Sequence, residues 1–335
     1  MTMASWDRFC RLTGSRIPIL QAPTGSIAGP ELAAAVAGAG AVGSLGLTWT
    51  APAEAAEHVR AVREATGGPF AANFALAFAP CALGAVLAAG APIVVFSWGD
   101  PSPWMAEAGR AGAVVGAQVA DAEEAIAAVG AGARFVICQG TEAGGHVQAR
   151  LALSEALPRV VAAVGASVPV LAAGGLVDGH GIAGVLRLGA EGVVMGTRFV
   201  ATRESRAHEG YRRLLVGARG ADATALTTCF DGGWPSAPHR VLRNSTLSAW
   251  EAAGGPGAPH RPGEGEVVAR SMAGDPILRY EDTAPRRGMV GDVEAMALYS
   301  GSGVGGIGDI PPAGALVARL WREALEALAL GEAAG

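Results

Sequence analysis

Eight short apolar or β-branched runs alternate along this chain with stretches rich in Ala, Leu and Glu, and that alternation restricts the fold more than any other feature. The runs are Ile17–Ala22, Ala41–Leu45, Phe70–Phe74, Ile93–Ser97, Ala113–Ala117, Phe135–Cys138, Val168–Ala172 and Gly192–Met195. Continuous apolar strands need both faces covered, which calls for parallel strands beneath helices. Pro30-Glu31-Leu32 and Ala51-Pro52-Ala53-Glu54 mark helix starts, because proline lacks only an N–H that the first turn leaves unused. Asp121, ahead of Ala122-Glu123-Glu124, reads as an N-cap. Glycine stops stand at Gly40, Gly90 and Gly189, each just before a strand. Eight such units fit a closed (β/α)8 TIM barrel, with an open, doubly wound sheet as the structural alternative.

The pattern breaks after the eighth strand. From Glu204 to Val290 the sequence turns helical and then irregular, with Phe230-Asp231-Gly232-Gly233-Trp234-Pro235 and a Gly/Pro-rich stretch from Gly254 to Gly265. Barrel-like sequence resumes at Asp292–Tyr299 and at a closing helix, Ala313–Leu330. The expectation is one barrel from 1–203 and 291–335, with a smaller, partly helical lid or substrate subdomain at 204–290. The tryptophans of that subdomain and Arg240 are candidates either to face the substrate or to pack. Half of the 335 residues are hydrophobic but only 5% are aromatic, so the core must come from Ala, Val, Leu and Ile in close helix-on-strand contact.

A net charge of -5 without a basic cluster argues against nucleic acid or a membrane surface and for a small-molecule substrate. Cys10, Cys81, Cys138 and Cys229 include no CxxC pair, so neither zinc nor a disulfide framework is indicated, and a reduced cytoplasmic setting fits. Trp6, Asp7 and Arg8 stand where a signal peptide would need an unbroken apolar core, and no segment reads as a membrane span, so a soluble protein is expected. Every basic residue other than histidine is arginine. Without lysine, Schiff-base chemistry, pyridoxal phosphate attachment and a P-loop are all excluded. Oligomeric state is left open, a homodimer being one option.

Three strand ends run into glycine: Gln139-Gly140-Thr141-Glu142-Ala143-Gly144-Gly145-His146, Ala172-Ala173-Gly174-Gly175, and Met195-Gly196-Thr197-Arg198. In a barrel the loops after the seventh and eighth strands offer free backbone N–H groups to a phosphate, and glycine lets the ligand come close. Either loop alone could be an ordinary tight turn; both at the right strand ends point to a phosphate-bearing cofactor. His146, flanked by glycines beyond the sixth strand, is the candidate catalytic residue. His180 is placed at a helix start near that phosphate as a second-layer donor or a solvated turn residue, and Cys138 reads as a small buried hydrophobe.

The chain resembles the nitronate monooxygenase family of FMN-dependent (β/α)8 enzymes. The resemblance is carried by Pro18–Pro23, Leu32–Gly46, Ala72-Asn73-Phe74, Gln139–His146, Ala172–Gly175, Met195–Phe199 and Leu298–Gly305, in family order, with Glu142-Ala143-Gly144-Gly145-His146 the most specific. It implies that Ala22, Pro23 and Thr24 line one face of the flavin ring, that Asn73 and Gln139 bond to the ring or its ribityl chain, and that Gly144, Gly174, Gly175, Gly196 and Thr197 cradle the phosphate. Gly145 and Met195 complete the FMN contacts. Many FMN barrels place a lysine at the flavin; here backbone amides, Gln118 or Gln139 must serve.

The implied activity is oxidation of alkyl nitronates, or of nitroalkanes deprotonated by His146, by dioxygen through one-electron flavin chemistry, giving carbonyl compounds and nitrite. An imidazole titrating near neutrality would suit both proton removal and charge stabilisation. The chain departs from the family pattern at Thr24, at Val147-Gln148 and at Ser302, which bears on substrate identity. The alternatives are a flavin-dependent NAD(P)H oxidoreductase acting on a quinone or an enoyl thioester, and a non-catalytic phosphate or flavin carrier.

Overall fold

The computed structural model describes residues 6–332. Helix α1 (Asp7–Thr13) leads into eight parallel strands: β1 (Ile19–Gln21), β2 (Gly43–Gly46), β3 (Phe70–Ala75), β4 (Ile93–Ser97), β5 (Val114–Val119), β6 (Phe135–Gln139), β8 (Val170–Ala173) and β9 (Gly192–Met195); a two-residue strand, β7 (Gly145–His146), stands outside them. The sheet runs β1-β9-β8-β6-β5-β4-β3-β2. A parallel bridge of Leu20 to Val42 closes it, with Gln21 N–H donating to Val42 O and Val42 N–H to Ile19 O, both at 2.9 Å. The sheet is a barrel, which removes the open-sheet alternative.

Proline sets the strand starts. Pro18, Pro69, Pro92 and Pro169 each precede a strand, have no N–H to strand, and accept a neighbouring strand's amide through their carbonyls at 2.9–3.2 Å, from Val193, Gly43, Val114 and Val136 respectively. Two expected strands, begun at Ile17 and Val168, therefore start only after the proline.

The helices between strands are α2 (Pro30–Gly38), α3 (Pro52–Ala65), α4 (Leu83–Ala88), α5 (Ser102–Arg110), α6 (Ala122–Gly130), α7 (Leu153–Val164) and α8 (Gly179–Arg187). Proline opens α2 and α3, and Asp121 caps α6 by accepting the Glu124 N–H at 2.9 Å. Gly40, Gly90 and Gly189 stop helices at φ 96°, 84° and 94°, as the sequence predicts.

The core has two layers. Inside the barrel, Leu20, Val42, Ile93, Phe135, Ile137 and Leu171 pack together. Phe9 of α1 closes the end where strands begin, its ring 5.5 Å from that of Phe135. Gly116 makes room: a Cβ there would stand 2.2 Å from the Phe135 ring. Outside the strands, Ala, Val and Leu from sheet and helices form the larger cluster that the composition implies.

After the short helix α9 (Thr197–Val200) come α10 (Glu209–Gly217), β10 (Thr224–Thr227), β11 (His239–Leu242), α11 (Ser245–Ala252), β12 (Val267–Arg270), β13 (Pro276–Leu278) and β14 (Val290–Gly291), and the chain ends in α12 (Ala313–Glu332). The stretch expected to be irregular thus contains β-structure. β11 lies between β10 and β7 in one antiparallel sheet, and β12 lies between β13 and β14 in another. Strands this short carry no readable period, and β7 lies more than ninety residues from its partner. Among the described residues no helix is long and apolar enough to cross a membrane.

Candidate active site

A cavity of about 780 Å³ opens at the end of the barrel where the strands finish. The sequence-predicted residues Ala22, Pro23, Thr24, Asn73, Gln118, Gln139, Gly144, Gly145, His146, Gly174, Gly175, Met195, Gly196 and Thr197 all line it. So do residues that the sequence reading did not select, among them Ser44, Phe78, Trp98, Tyr299, Gly301 and Gly303.

One wall is built from glycine loops fitted against each other without side chains. Gly174 and Gly175 turn at φ 130° and 68°, which suits glycine alone. A Cβ on Gly144 would lie 2.4 Å from the Gly301 nitrogen, and one on Gly303 only 2.0 Å from the Gly175 carbonyl oxygen. Thr197 Oγ1 accepts the Gly301 N–H at 2.9 Å, and Glu142 O accepts the Ser302 N–H at 3.0 Å. The loops at 142–145, 174–175, 196–197 and 300–303 are therefore one interlocked piece. The Glu142 carboxylate faces away from the cavity and accepts the Leu153 N–H at 2.9 Å, tying its loop to the start of α7. Gly196 differs: a Cβ there would make only ordinary contacts, 3.5 Å from Ala22 Cβ and 3.6 Å from Thr24 Cγ2.

Amide side chains position the strand that bears His146. Gln139 accepts the Gln148 N–H at 2.9 Å and donates to the His146 carbonyl at 3.3 Å; Gln118 donates to Gln148 Oε1 at 3.1 Å, which also accepts the Trp98 N–H at 3.1 Å. Each of these amide NH2 groups has a second hydrogen for the cavity. Asn73 donates to Val95 O at 3.1 Å. Three buried polar atoms of cavity-lining residues lack any protein partner: Thr24 Oγ1, Ser44 Oγ and His146 Nε2. Buried polar atoms are ordinarily hydrogen-bonded, so orphans gathered in one cavity fit a ligand with a polar edge. Ser44 sits inside β2, where nothing in the sequence separates it from a packing residue.

His146 is stacked under Trp234, ring centroids 4.4 Å apart and planes 26° from parallel, with Trp98 at 6.3 Å, His239 at 5.4 Å and Tyr299 at 5.6 Å. Burial, and after it the neighbouring His239, pushes its pKa down to about 3. This corrects the expected titration near neutrality: the ring is neutral throughout the physiological range. The free protein's kcat/KM should accordingly have no inflection from His146 between pH 5 and 8. A limb near pH 6.5 that disappears in His146→Asn would refute this. The same shift makes stability pH-dependent. The unfolded imidazole takes up a proton near 6.5, so the native state's advantage is whole above that pH and declines as pH falls toward 3, by about 1.4 kcal/mol per unit for this one group.

Other candidates separate cleanly. Arg240 does not reach the cavity: its guanidinium donates to Thr141 O at 2.8 and 3.1 Å and holds the loop before Glu142. Of the two tryptophans in the 204–290 stretch, Trp234 lines the cavity, while Trp250 donates to Pro256 O at 2.9 Å. His180 is exposed on α8 and takes no part. Cys138 is buried, and desolvation pushes its thiol up to about 12, so it is an inert packing residue. Also lining the cavity are His58, 3.8 Å from Glu54, Arg206, paired with Glu31 at 3.1 Å, and Arg286.

Comparison with known proteins gives this geometry a family. The family model described as nitronate monooxygenase matches residues 8–83 and 81–323. A nitronate monooxygenase of Pseudomonas aeruginosa is 36% identical, over 76% of this chain and 84% of that protein. A (3aS,4S,5R,7aS)-5-hydroxy-7a-methyl-1-oxo-octahydro-1H-indene-4-carboxyl-CoA dehydrogenase of Mycobacterium tuberculosis is 35% identical, over 72% of this chain and 67% of that protein. Among solved structures, a nitroalkane oxidase from Streptomyces ansochromogenes superimposes with a TM-score of 0.78 at 30% identity, covering 96% of this chain and 99% of that one. Matched over nearly its whole length and more than a third identical to a curated member, the chain belongs to the nitronate monooxygenase family of oxidoreductases.

Proposed function

We propose that this protein is an FMN-dependent nitronate monooxygenase that uses dioxygen to convert alkyl nitronates to carbonyl compounds and nitrite. The observation that carries the reading is the conjunction, in one cavity, of the interlocked glycine loops, the orphaned hydroxyls of Thr24 and Ser44, and the unpartnered Nε2 of His146. The family is flavin-dependent in general, and these residues fit such a group. Gly144, Gly174, Gly175, Gly196 and Thr197 would hold the phosphate through backbone N–H groups. Ala22, Pro23 and Thr24 would lie against one face of the ring, and Asn73, Gln118 and Gln139 retain amide groups for its polar edge. The chemistry FMN supplies when bound is one-electron oxidoreduction between the nitronate and dioxygen. His146 would give a neutral N–H to the nitro oxygens, and the aromatic rings around it exclude water from them.

The test is direct. Purified protein is expected to be yellow, and to release nitrite from propyl-2-nitronate in air without any pyridine nucleotide. Colourless protein that does not take up added FMN would end the proposal.

A second reading draws on the mycobacterial relative, a carboxyl-CoA dehydrogenase, and on the cavity lining, where the guanidinium groups of Arg206 and Arg286 would suit the phosphates of a thioester or nicotinamide cosubstrate. Anaerobic mixing separates the two. Bleaching of the flavin by NADH or NADPH favours the second reading; bleaching by the nitronate alone favours the first.

A further inference from the structure

Between β10 and β11 the chain forms a loop, residues 228–238, whose two ends meet on one imidazole. His239 is fully buried, with Nε2 3.1 Å from the Phe230 nitrogen and Nδ1 2.9 Å from the Ala237 carbonyl oxygen. A backbone N–H can only donate, so Nε2 accepts and the ring proton sits on Nδ1, donating to Ala237. A single neutral side chain thereby clasps the loop at its base. The loop is gripped elsewhere as well. Asp231 is ion-paired with Arg261, Gly232 N–H donates to Tyr280 O at 3.1 Å, and the Asp282 carboxylate lies 2.5 Å from where a Cβ on Gly233 would stand. Ser236 turns at φ 61°, a conformation that serine rarely adopts.

This restraint delivers one large side chain into the cavity. Trp234 stacks on His146 and sets its edges against Trp98 at 4.8 Å and Phe78 at 5.0 Å. β11 also pairs with β7 in the register His239 to His146, so the strand that holds the clasp is the one alongside the candidate catalytic residue. Flat rings from three separate segments thus meet beside the imidazole, and the loop that carries one of them is bonded at its base to His239.

We propose that Trp234 is the specificity-determining residue of the site, narrowing the space beside the His146 ring edge to a slot that admits small nitronates and turns away bulky ones, and that His239 is the positioning residue that keeps it there. The choice of substrate rests on the nitronate reading; the placement of Trp234 by His239 does not.

The test uses the FMN-loaded full-length protein and the variants Trp234→Ala, Trp234→Phe, His239→Leu and His239→Gln, with two readouts. The first is kcat/KM for propyl-2-nitronate against the nitronate of nitrocyclohexane. Trp234→Ala is expected to raise the bulky-to-small ratio by ~10-fold, within the range that one hydrophobic group contributes to discrimination. His239→Leu should move it the same way, Trp234→Phe should stay near wild type, and His239→Gln, which restores an acceptor for the Phe230 N–H, should recover at least half of the loss. The second readout is carbethoxylation of His146 by diethyl pyrocarbonate, followed by mass spectrometry on the tryptic peptide 135–150, in which His146 is the sole histidine. Its rate is expected to rise several-fold in Trp234→Ala and His239→Leu.

Unchanged His146 modification in variants with a wild-type circular dichroism spectrum overturns the proposal, as does a ratio that Trp234→Ala leaves unmoved. Should His239→Leu not fold, His239→Gln and Trp234→Ala decide the matter by the same two measurements. If modification rises as expected while even the wild type turns over no nitronate, the nitronate reading fails and takes the slot's assigned substrate with it, leaving the clasp supported.

Discussion

Gly303→Ala is expected to lower FMN affinity by ~100-fold, which at 1.4 kcal/mol per tenfold is about 2.8 kcal/mol. The added methyl would lie 2.0 Å from the Gly175 carbonyl oxygen and 2.9 Å from its carbon, and both are backbone atoms that no rotamer change can move. Gly175 cannot give way cheaply, because it is already fixed at φ 68° and its own Cβ direction is filled by Glu142 Cβ at 3.1 Å and Ser302 Oγ at 3.2 Å. Overpacking of this kind costs about 1–3 kcal/mol or somewhat more, and here the strain falls on the loop proposed to receive the phosphate. Gly184→Ala is the control: it lies within α8, where a Cβ meets nothing within 4 Å, and it should leave affinity unchanged. Fluorescence titration with FMN measures both. A Gly303→Ala protein that binds FMN as the wild type does would show that these loops do not hold the cofactor.

His146→Leu is expected to lower kcat/KM for propyl-2-nitronate by ~10²-fold, the order expected when one hydrogen bond to a charged group is removed, with FMN content unchanged. The reasoning turns on the low pKa. A ring held at about 3 has one N–H to give at neutral pH but is too weak a base to take a carbon-bound proton at a useful rate. The preformed nitronate should therefore be the substrate, and the neutral nitroalkane offered at pH 7 should react at under about 1% of its rate, since general-base assistance of ~10²–10⁴ is lost. Initial rates of nitrite release, measured before the two forms equilibrate, separate the cases. Equal rates for both forms, or a His146→Leu protein within threefold of wild type, would remove the imidazole from the chemistry.

The parts of this molecule that were legible in its sequence are those whose signal is local. Proline before a strand, glycine after a helix and an unbroken apolar run each fix backbone geometry within a few residues, so all eight barrel strands could be placed, with bounds off by one or two residues; at Ile17 and Val168 it is proline that delays the ladder. The glycine-rich strand ends were legible for the same reason, and the residues chosen from them line one cavity. What the sequence concealed depends on partners far away along the chain. Trp234 and His239 stand in a stretch without periodicity, and their positions follow from a two-residue strand about ninety positions earlier. Ser44 is one small residue among several in an apolar strand. The charge state of His146 was misread because a glycine-flanked loop suggested exposure, whereas Trp234 covers the ring and desolvates it.

Phe9 bears on traffic through the molecule. With its ring seated against Phe135 and the strand interiors filled behind it, the barrel is a stopped bottle rather than a tube. Whatever enters the cavity and whatever leaves it must therefore use the end where the strands finish. A product still seated there should hold off the next substrate, so added product is expected to raise the apparent KM while leaving kcat unchanged.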